Sequence, residues 1–193
     1  MKQVTLPTRK FFFIRHGETE YNRQSRFQGQ INVPLNKKGH TQASRASDIL
    51  ARVGISLAVT SPATRVRQTL APFIRHSQLQ LHVEEQLLEM SVGSFEGRLY
   101  SEVRKEHALE EDESWLSILP EDAESWRDFV NRVVGAVARW TEKNPYETIL
   151  FASHGLVFRA LSQYLKGTAM QSGNAQVHIF EPSSTVWNIT PVN

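Results

Sequence analysis

Four bulky apolar residues in a row, Phe11-Phe12-Phe13-Ile14, give way at once to the polar run Arg15-His16-Gly17-Glu18-Thr19. So short an apolar block does not make a helix, and its lack of alternation predicts a strand buried on both faces. The succession returns downstream, where Ile149-Leu150-Phe151-Ala152 delivers Ser153-His154-Gly155 and an apolar-periodic helix follows from Leu156 to Leu165. Between these two strands, Ala43, Ala46, Ile49, Leu50 and Val53 recur at helical spacing and Gly54 stops that helix. Leu57 to Val59 and Leu79 to Val83 predict short strands, and Ser61-Pro62 predicts a helix start with Ser61 as its N-cap. Trp126, Phe129, Val130, Val133, Val134, Val137 and Trp140 line one side of a strong helix over 125–140, which makes them core. Val177 to Phe180 and Val186 to Ile189 suit a closing hairpin. The polar stretch Thr19 to Leu35 predicts a loop, and 101–124 a helix and loop laid over the sheet. Strands alternating with helices make this an α/β fold.

The pattern also locates candidate chemistry. In open α/β sheets, ligands bind at the carboxyl ends of the strands. Of seven histidines, His16 and His154 alone stand at the exit of an apolar strand with a glycine behind them. If their strands are neighbours, both imidazoles meet Arg15 in one pocket. Arg65, in the first turn of a helix after a strand, suits an anion as well. Glu89, set among Leu87, Leu88 and Met90, is a carboxyl whose burial would favour its protonated form. Asn22 and Gln28 offer amide donors in the loop.

Length and charge sharpen this picture. With 193 residues the chain makes one domain, 1–193, and it has no cysteine for a disulfide or thiolate metal site. No apolar run precedes the first strand and none is long enough for a membrane span, so a cytoplasmic protein is expected. The net charge is only +2, but residues 106–124 hold eight acidic and no basic residues, which leaves 12 acidic against 22 basic elsewhere. That basic body favours an anionic substrate. The cations are scattered without a nucleic-acid-binding signature, so neither nucleic acid nor membrane is expected as a partner.

Arg15-His16-Gly17-Glu18-Thr19 with Asn22, and Ser153-His154-Gly155, resemble the histidine phosphatase superfamily, also called the phosphoglycerate mutase-like family. Three further blocks fit it in order: Phe27-Gln28-Gly29 with Pro34-Leu35 and Gly39; Ser61 to Thr69; and Glu89 with Gly93, Glu96 and Gly97. Together they span roughly Phe11 to Asn188. The resemblance implies a three-layer α/β/α sandwich, a mostly parallel sheet with helices on both faces, and 98–125 as an inserted lid. It implies His16 as the phosphorylated nucleophile, Glu89 as proton donor, and Arg15, Arg65 and His154 around the phosphoryl oxygens. Gly17, Thr19, Asn22, Gln28, Gly29 and Gly155 complete the substrate-binding set. No cofactor and no metal are needed if the protein supplies the positive charge, and the partner is a phosphorylated small molecule. The chain is expected as a monomer or homodimer.

Mutases of this family carry Leu-Asn-Lys after the Glu-Gly and adjacent arginines in the insert. Here Arg98-Leu99-Tyr100 follows Glu96-Gly97, and 106–124 contains no arginine. A phosphatase is therefore favoured over a mutase, and a non-catalytic phosphate-binding protein is a third reading. Ala63 stands where a larger apolar residue is common and Leu156 where a second glycine often follows His-Gly, and both bear on pocket shape; Ala123 stands where the insert's Gly-Glu-Ser would have glycine, so Glu124 is given no role.

Overall fold

The computed structural model describes residues 7–77, 79–110 and 112–193. The first apolar block forms β1 (Phe11–Arg15), which pairs in parallel with β4 (Ile149–Ser153). Beyond β4 lie β2 (Leu57–Thr60) and then β3 (Leu81–Val83), both parallel. On the other side of β1 the C-terminal hairpin, β5 (Val177–Pro182) and β6 (Trp187–Val192), adds two antiparallel strands. The six-stranded order is β3-β2-β4-β1-β5-β6. The two His-bearing strands are thus neighbours at the centre, with Arg15 opposite Ser153.

Two layers of helix explain why β1 is apolar without alternation. Phe11 and Phe13 point into one core with Val133, Val137, Phe151 and Phe158, beneath α5 (Trp126–Lys143) and α6 (Gly155–Lys166). Phe12 and Ile14 point into the other with Ala46, Leu50, Val66 and Leu70, beneath α2 (Lys37–Leu50) and α3 (Thr64–Ser77). Successive strand side chains face opposite ways, so both sets must be apolar when both faces are covered. The result is the expected three-layer α/β/α arrangement with a mostly parallel sheet. Rings are packed closely in the first core: Phe11 stacks on Phe180 at 4.7 Å and meets Phe151 edge-on at 5.4 Å. Such contacts contribute about 1 kcal/mol each beyond the area they bury.

Local structure departs from the sequence pattern in two places near the strand ends. The expected loop after β1 contains a one-turn helix, α1 (Glu20–Arg23), because Thr19 and Asn22 satisfy each other's backbone N–H groups in a capping box. Helix α3 starts at Thr64 rather than at Ser61-Pro62. Its first free N–H, on Thr64, is taken by the Asn32 side chain at 2.9 Å, while the Ser61 hydroxyl lies 2.9 Å from His154 Nε2 and accepts the Ala63 N–H at a long 3.4 Å. The acidic stretch folds as α4 (Tyr100–Glu106) and a 3-10 turn at Trp115–Ile118. Among the described residues, no helix is long and apolar enough to cross a membrane.

Candidate active site

The carboxyl ends of β1 and β4 open into a cavity of about 300 Å³. It is lined by Arg15, His16, Asn22, Gln28, Gly29, Arg65, Glu89 and Gly155, which the sequence singles out, and by further residues treated below. Gly17, Thr19 and His154 lie behind this lining.

His16 is 3 % exposed and its Nδ1 lies 2.7 Å from the Gly17 carbonyl oxygen. A carbonyl only accepts, so Nδ1 carries the proton and Nε2 keeps its lone pair. Burial, followed by the charges of Arg65 and Arg15, holds the His16 pKa well below its ordinary value and keeps the ring neutral. The His154 ring sits 5.4 Å from it, fully buried, with Nε2 2.9 Å from the Ser61 hydroxyl and Nδ1 without a partner among the described residues. Burial and then Arg65 hold His154 neutral as well.

The guanidinium groups are fixed by carbonyls rather than carboxylates. Arg65, 1 % exposed, donates to the oxygens of Ile31 at 2.7 Å and Gly29 at 2.9 Å. Arg15 donates to Ser172 O at 2.6 Å. The Nε atoms of both are buried without a partner among the described residues. Carbonyls orient a cation without neutralising it, so both charges remain available to a ligand. Burial lowers both pKa values, that of Arg65 to about 10, which still leaves it charged at neutral pH. Gly29 can present its oxygen because it adopts a φ of +49°; a Cβ there would lie 2.1 Å from the Glu96 carboxylate. Gly155 leaves room of another kind, since a Cβ there would come within 3.3 Å of Arg15 Cζ.

Glu89 accepts from the backbone N–H groups of Met90 and Leu156, each at 3.1 Å. Its burial nevertheless raises its pKa above the ordinary carboxyl value, against the pull of those bonds and of Arg65 and Arg15. The loop carrying it is clamped by Arg132 of α5, which donates to the carbonyls of Gln86, Leu88 and Glu89 at 2.7, 2.9 and 3.0 Å. The same guanidinium makes a bidentate pair with Glu124 at 2.6 and 2.8 Å. Arg132 escapes the sequence reading because only the fold brings α5 beneath the Glu89 loop, and Glu124 is given no role there because Ala123 breaks the motif to which it belongs.

Thr19 and Gly17 support rather than line the cavity. Thr19 Oγ1 lies 3.0 Å from Gln28 Oε1 and 3.2 Å from Asn22 Oδ1, so both amides spend their oxygens on the scaffold and keep their NH2 groups for a ligand. Gly17 donates to Thr69 Oγ1 at 2.9 Å and passes so near α2 that a Cβ would lie 2.7 Å from Gly39 O. The remaining wall is Phe27, Met90, Val92, Tyr100, Trp115, Leu156, Arg159, Met170, Gln171 and Ser172. Tyr100 and Trp115 come from the acidic segment and pack edge-on to Phe27 at 4.1 and 4.9 Å. Nothing local in the sequence marks Arg159 or Ser172 as cavity residues.

A neutral imidazole with its lone pair free, beside a second imidazole, two guanidiniums without a carboxylate partner and a carboxyl whose pKa burial raises, can accept and release a phosphoryl group. Comparison with known proteins points the same way. A model of the histidine phosphatase superfamily (branch 1) matches residues 11–193. The chain is 28% identical over 187 residues to the adenosylcobalamin/alpha-ribazole phosphatase of Escherichia coli, covering 95% of this chain and 90% of that one. It is also 28% identical over 196 residues to a 2,3-bisphosphoglycerate-dependent phosphoglycerate mutase of Bartonella tribocorum, covering 92% and 95%. The structure of a mycobacterial glucosyl-3-phosphoglycerate phosphatase superposes with a TM-score of 0.82 at 25% identity, over 96% of this chain and 98% of that one.

Proposed function

The chain belongs to the histidine phosphatase superfamily, and from that premise we propose how it works: it is a phosphomonoester hydrolase that passes the phosphoryl group through His16. The observation that carries this reading is the His16 ring, neutral and fixed in one tautomer on the wall of a cavity that also holds Arg15 and Arg65. Arg15, Arg65 and the unpartnered Nδ1 of His154 hold the non-bridging oxygens, whose charge spreads in a loose transition state. The Nε2 lone pair of His16 forms the N–P bond as the ester P–O bond breaks, and the Glu89 carboxyl gives its proton to the departing oxygen. Glu89, now a carboxylate, takes a proton from water; that oxygen attacks phosphorus, the N–P bond breaks, and inorganic phosphate leaves. The amides of Asn22 and Gln28, with the backbone at Gly29 and Gly155, shape the phosphoryl pocket.

In this reading residues 98–125 form the lid over the leaving group, contributing Tyr100 and Trp115. A cytoplasmic location suits a chain that has no cysteine to oxidise. The mutase reading retains support from the similarity to the Bartonella tribocorum enzyme. One assay separates the readings: wild type and His16→Ala incubated with p-nitrophenyl phosphate and with 3-phosphoglycerate. Phosphate release by wild type that drops at least about 10³-fold in the variant is expected. Isomerised phosphoglycerate would identify a mutase, and full activity in His16→Ala would end the phosphohistidine mechanism.

A further inference from the structure

The peptide units that follow His16 are each held by a different group. The unit between His16 and Gly17 donates its N–H to Thr69 Oγ1 of α3 at 2.9 Å. The next, between Gly17 and Glu18, donates its N–H to Gln42 Oε1 of α2 at 2.8 Å. The one after, between Glu18 and Thr19, accepts the Asn36 N–H at 2.9 Å. Only the middle unit meets the imidazole, because its carbonyl oxygen is the one 2.7 Å from His16 Nδ1.

A trans peptide is planar, so its N–H and C=O point opposite ways from one rigid plate. Holding the N–H end therefore fixes where the carbonyl aims. Gly17 makes an outside hold necessary. It has no side chain to restrict its backbone, and it has no room for one, since a Cβ would lie 2.7 Å from Gly39 O. Helix α2 comes close enough to supply the hold because residue 39 is a glycine too; a Cβ there would fall 2.1 Å from Glu18 O. Asn36 and Lys38 take the Glu18 carboxylate at 2.9 and 2.7 Å, which sets α2 against the strand exit. Gln42, half-buried and further along α2, then brings its oxygen to the Glu18 N–H.

The ring feels this in its proton. A neutral imidazole has one proton for two nitrogens, and the acceptor it meets decides which nitrogen keeps it. With the carbonyl aimed at Nδ1, the lone pair stays on Nε2. With the plate swung away, the proton is free to move to Nε2, and the lone pair then faces Gly17 instead of the cavity. The Gln42 amide, the peptide and the imidazole N–H also form a head-to-tail row of dipoles in which each bond strengthens the next.

We propose that Gln42 is a positioning residue for His16: its amide oxygen locks the Gly17–Glu18 peptide in the orientation that keeps the imidazole proton on Nδ1. The inference rests on the reading of His16 as the nucleophile for its catalytic meaning, while the position of the ring proton is measured apart from turnover. Nitrogen NMR of the imidazoles, with His16 assigned by its loss in His16→Ala, should show the proton on Nδ1 in wild type and shared between the nitrogens in Gln42→Met. Gln42 does not line the cavity, so Gln42→Met should lower kcat for p-nitrophenyl phosphate about tenfold and leave KM within about twofold. Gln42→Glu keeps an oxygen for the Glu18 N–H and should return kcat to within about threefold of wild type. Should Gln42→Met fail to fold by circular dichroism, Gln42→Ala, a better helix former, is measured in its place. A wild-type ring protonated on Nε2, a Met or Ala variant with wild-type ring and kcat, or a Glu variant as impaired as these would overturn the inference. Failure of wild type to hydrolyse p-nitrophenyl phosphate, with the ring proton still displaced in the variant, would overturn the phosphatase reading and leave the positioning role standing.

Discussion

At the scale of single residues, the site brings two titrations toward each other. An ordinary carboxyl ionises near pH 4.3 and an ordinary imidazole takes a proton near pH 6.5, so at common values roughly the wrong pair of charge states would prevail between them. Here burial raises Glu89 and, with Arg65 and Arg15, lowers His16. Each shift extends the range in which a neutral nucleophile coexists with a protonated acid. The rate should therefore fall on the acid side as His16 gains its proton, and on the alkaline side as Glu89 loses its own. With an alkyl phosphate, whose leaving oxygen needs that proton, Glu89→Gln should lower kcat and flatten the alkaline limb. With p-nitrophenyl phosphate, whose leaving group is stable as an anion, the loss should be smaller. A pH–rate profile of both substrates that is unchanged by the substitution would remove Glu89 from the acid role. These residues were legible because each sits within a few positions of an apolar strand. Arg159 and Ser172 were not, because their place in the cavity follows from where α6 and the chain beyond it pass, not from their neighbours in sequence.

At the scale of elements, the strands and long helices follow hydrophobic period, whereas starts and supports depend on partners far along the chain. The start of α3 illustrates this: Ser61-Pro62 has the form of a helix entry, yet Asn32, 32 positions away, caps Thr64, and the shorter contact of the Ser61 hydroxyl is with His154. The Arg132 clamp is a second case. It ties α5 to three carbonyls of the Glu89 loop and to Glu124, the residue before the N-cap of α5. Both partners are largely buried, with side chains 17% and 18% exposed. Arg132→Ala strands a carboxylate and several carbonyl oxygens, and should cost about 3 kcal/mol of stability by chemical denaturation. If the clamp also positions the acid, the variant should lose more kcat on an alkyl phosphate than on p-nitrophenyl phosphate. Equal losses on the two esters would reduce it to a structural brace.

The whole molecule feels the same burial as a dependence of stability on acidity. His16, His154 and His178 are all buried with pKa values below the ordinary one, mainly through desolvation. Their counterparts in the unfolded chain take up protons as pH drops through about 6.5 while the folded ones do not, so stability falls with acidification. Glu89 opposes the trend, since its raised value makes the fold less stable as pH rises, but one carboxyl faces three imidazoles. Tm should therefore decline from pH 7 to pH 5. His178 offers a clean check because it packs on Phe158 at 4.5 Å, away from the cavity. His178→Leu should make the decline shallower, and an unaltered slope would refute the account.

The hairpin that flanks β1 reaches His16 through its approach segment. The Ala175 N–H donates to the carbonyls of Arg15 at 3.0 Å and His16 at 3.2 Å, and Asn174 donates to His16 O at 3.1 Å. These partners lie more than 150 positions apart in sequence, so closing that long loop must precede any competent arrangement of the first strand's end. On dilution from denaturant, ellipticity should return before turnover does, and the interval between them measures how late the two ends of the polypeptide find each other.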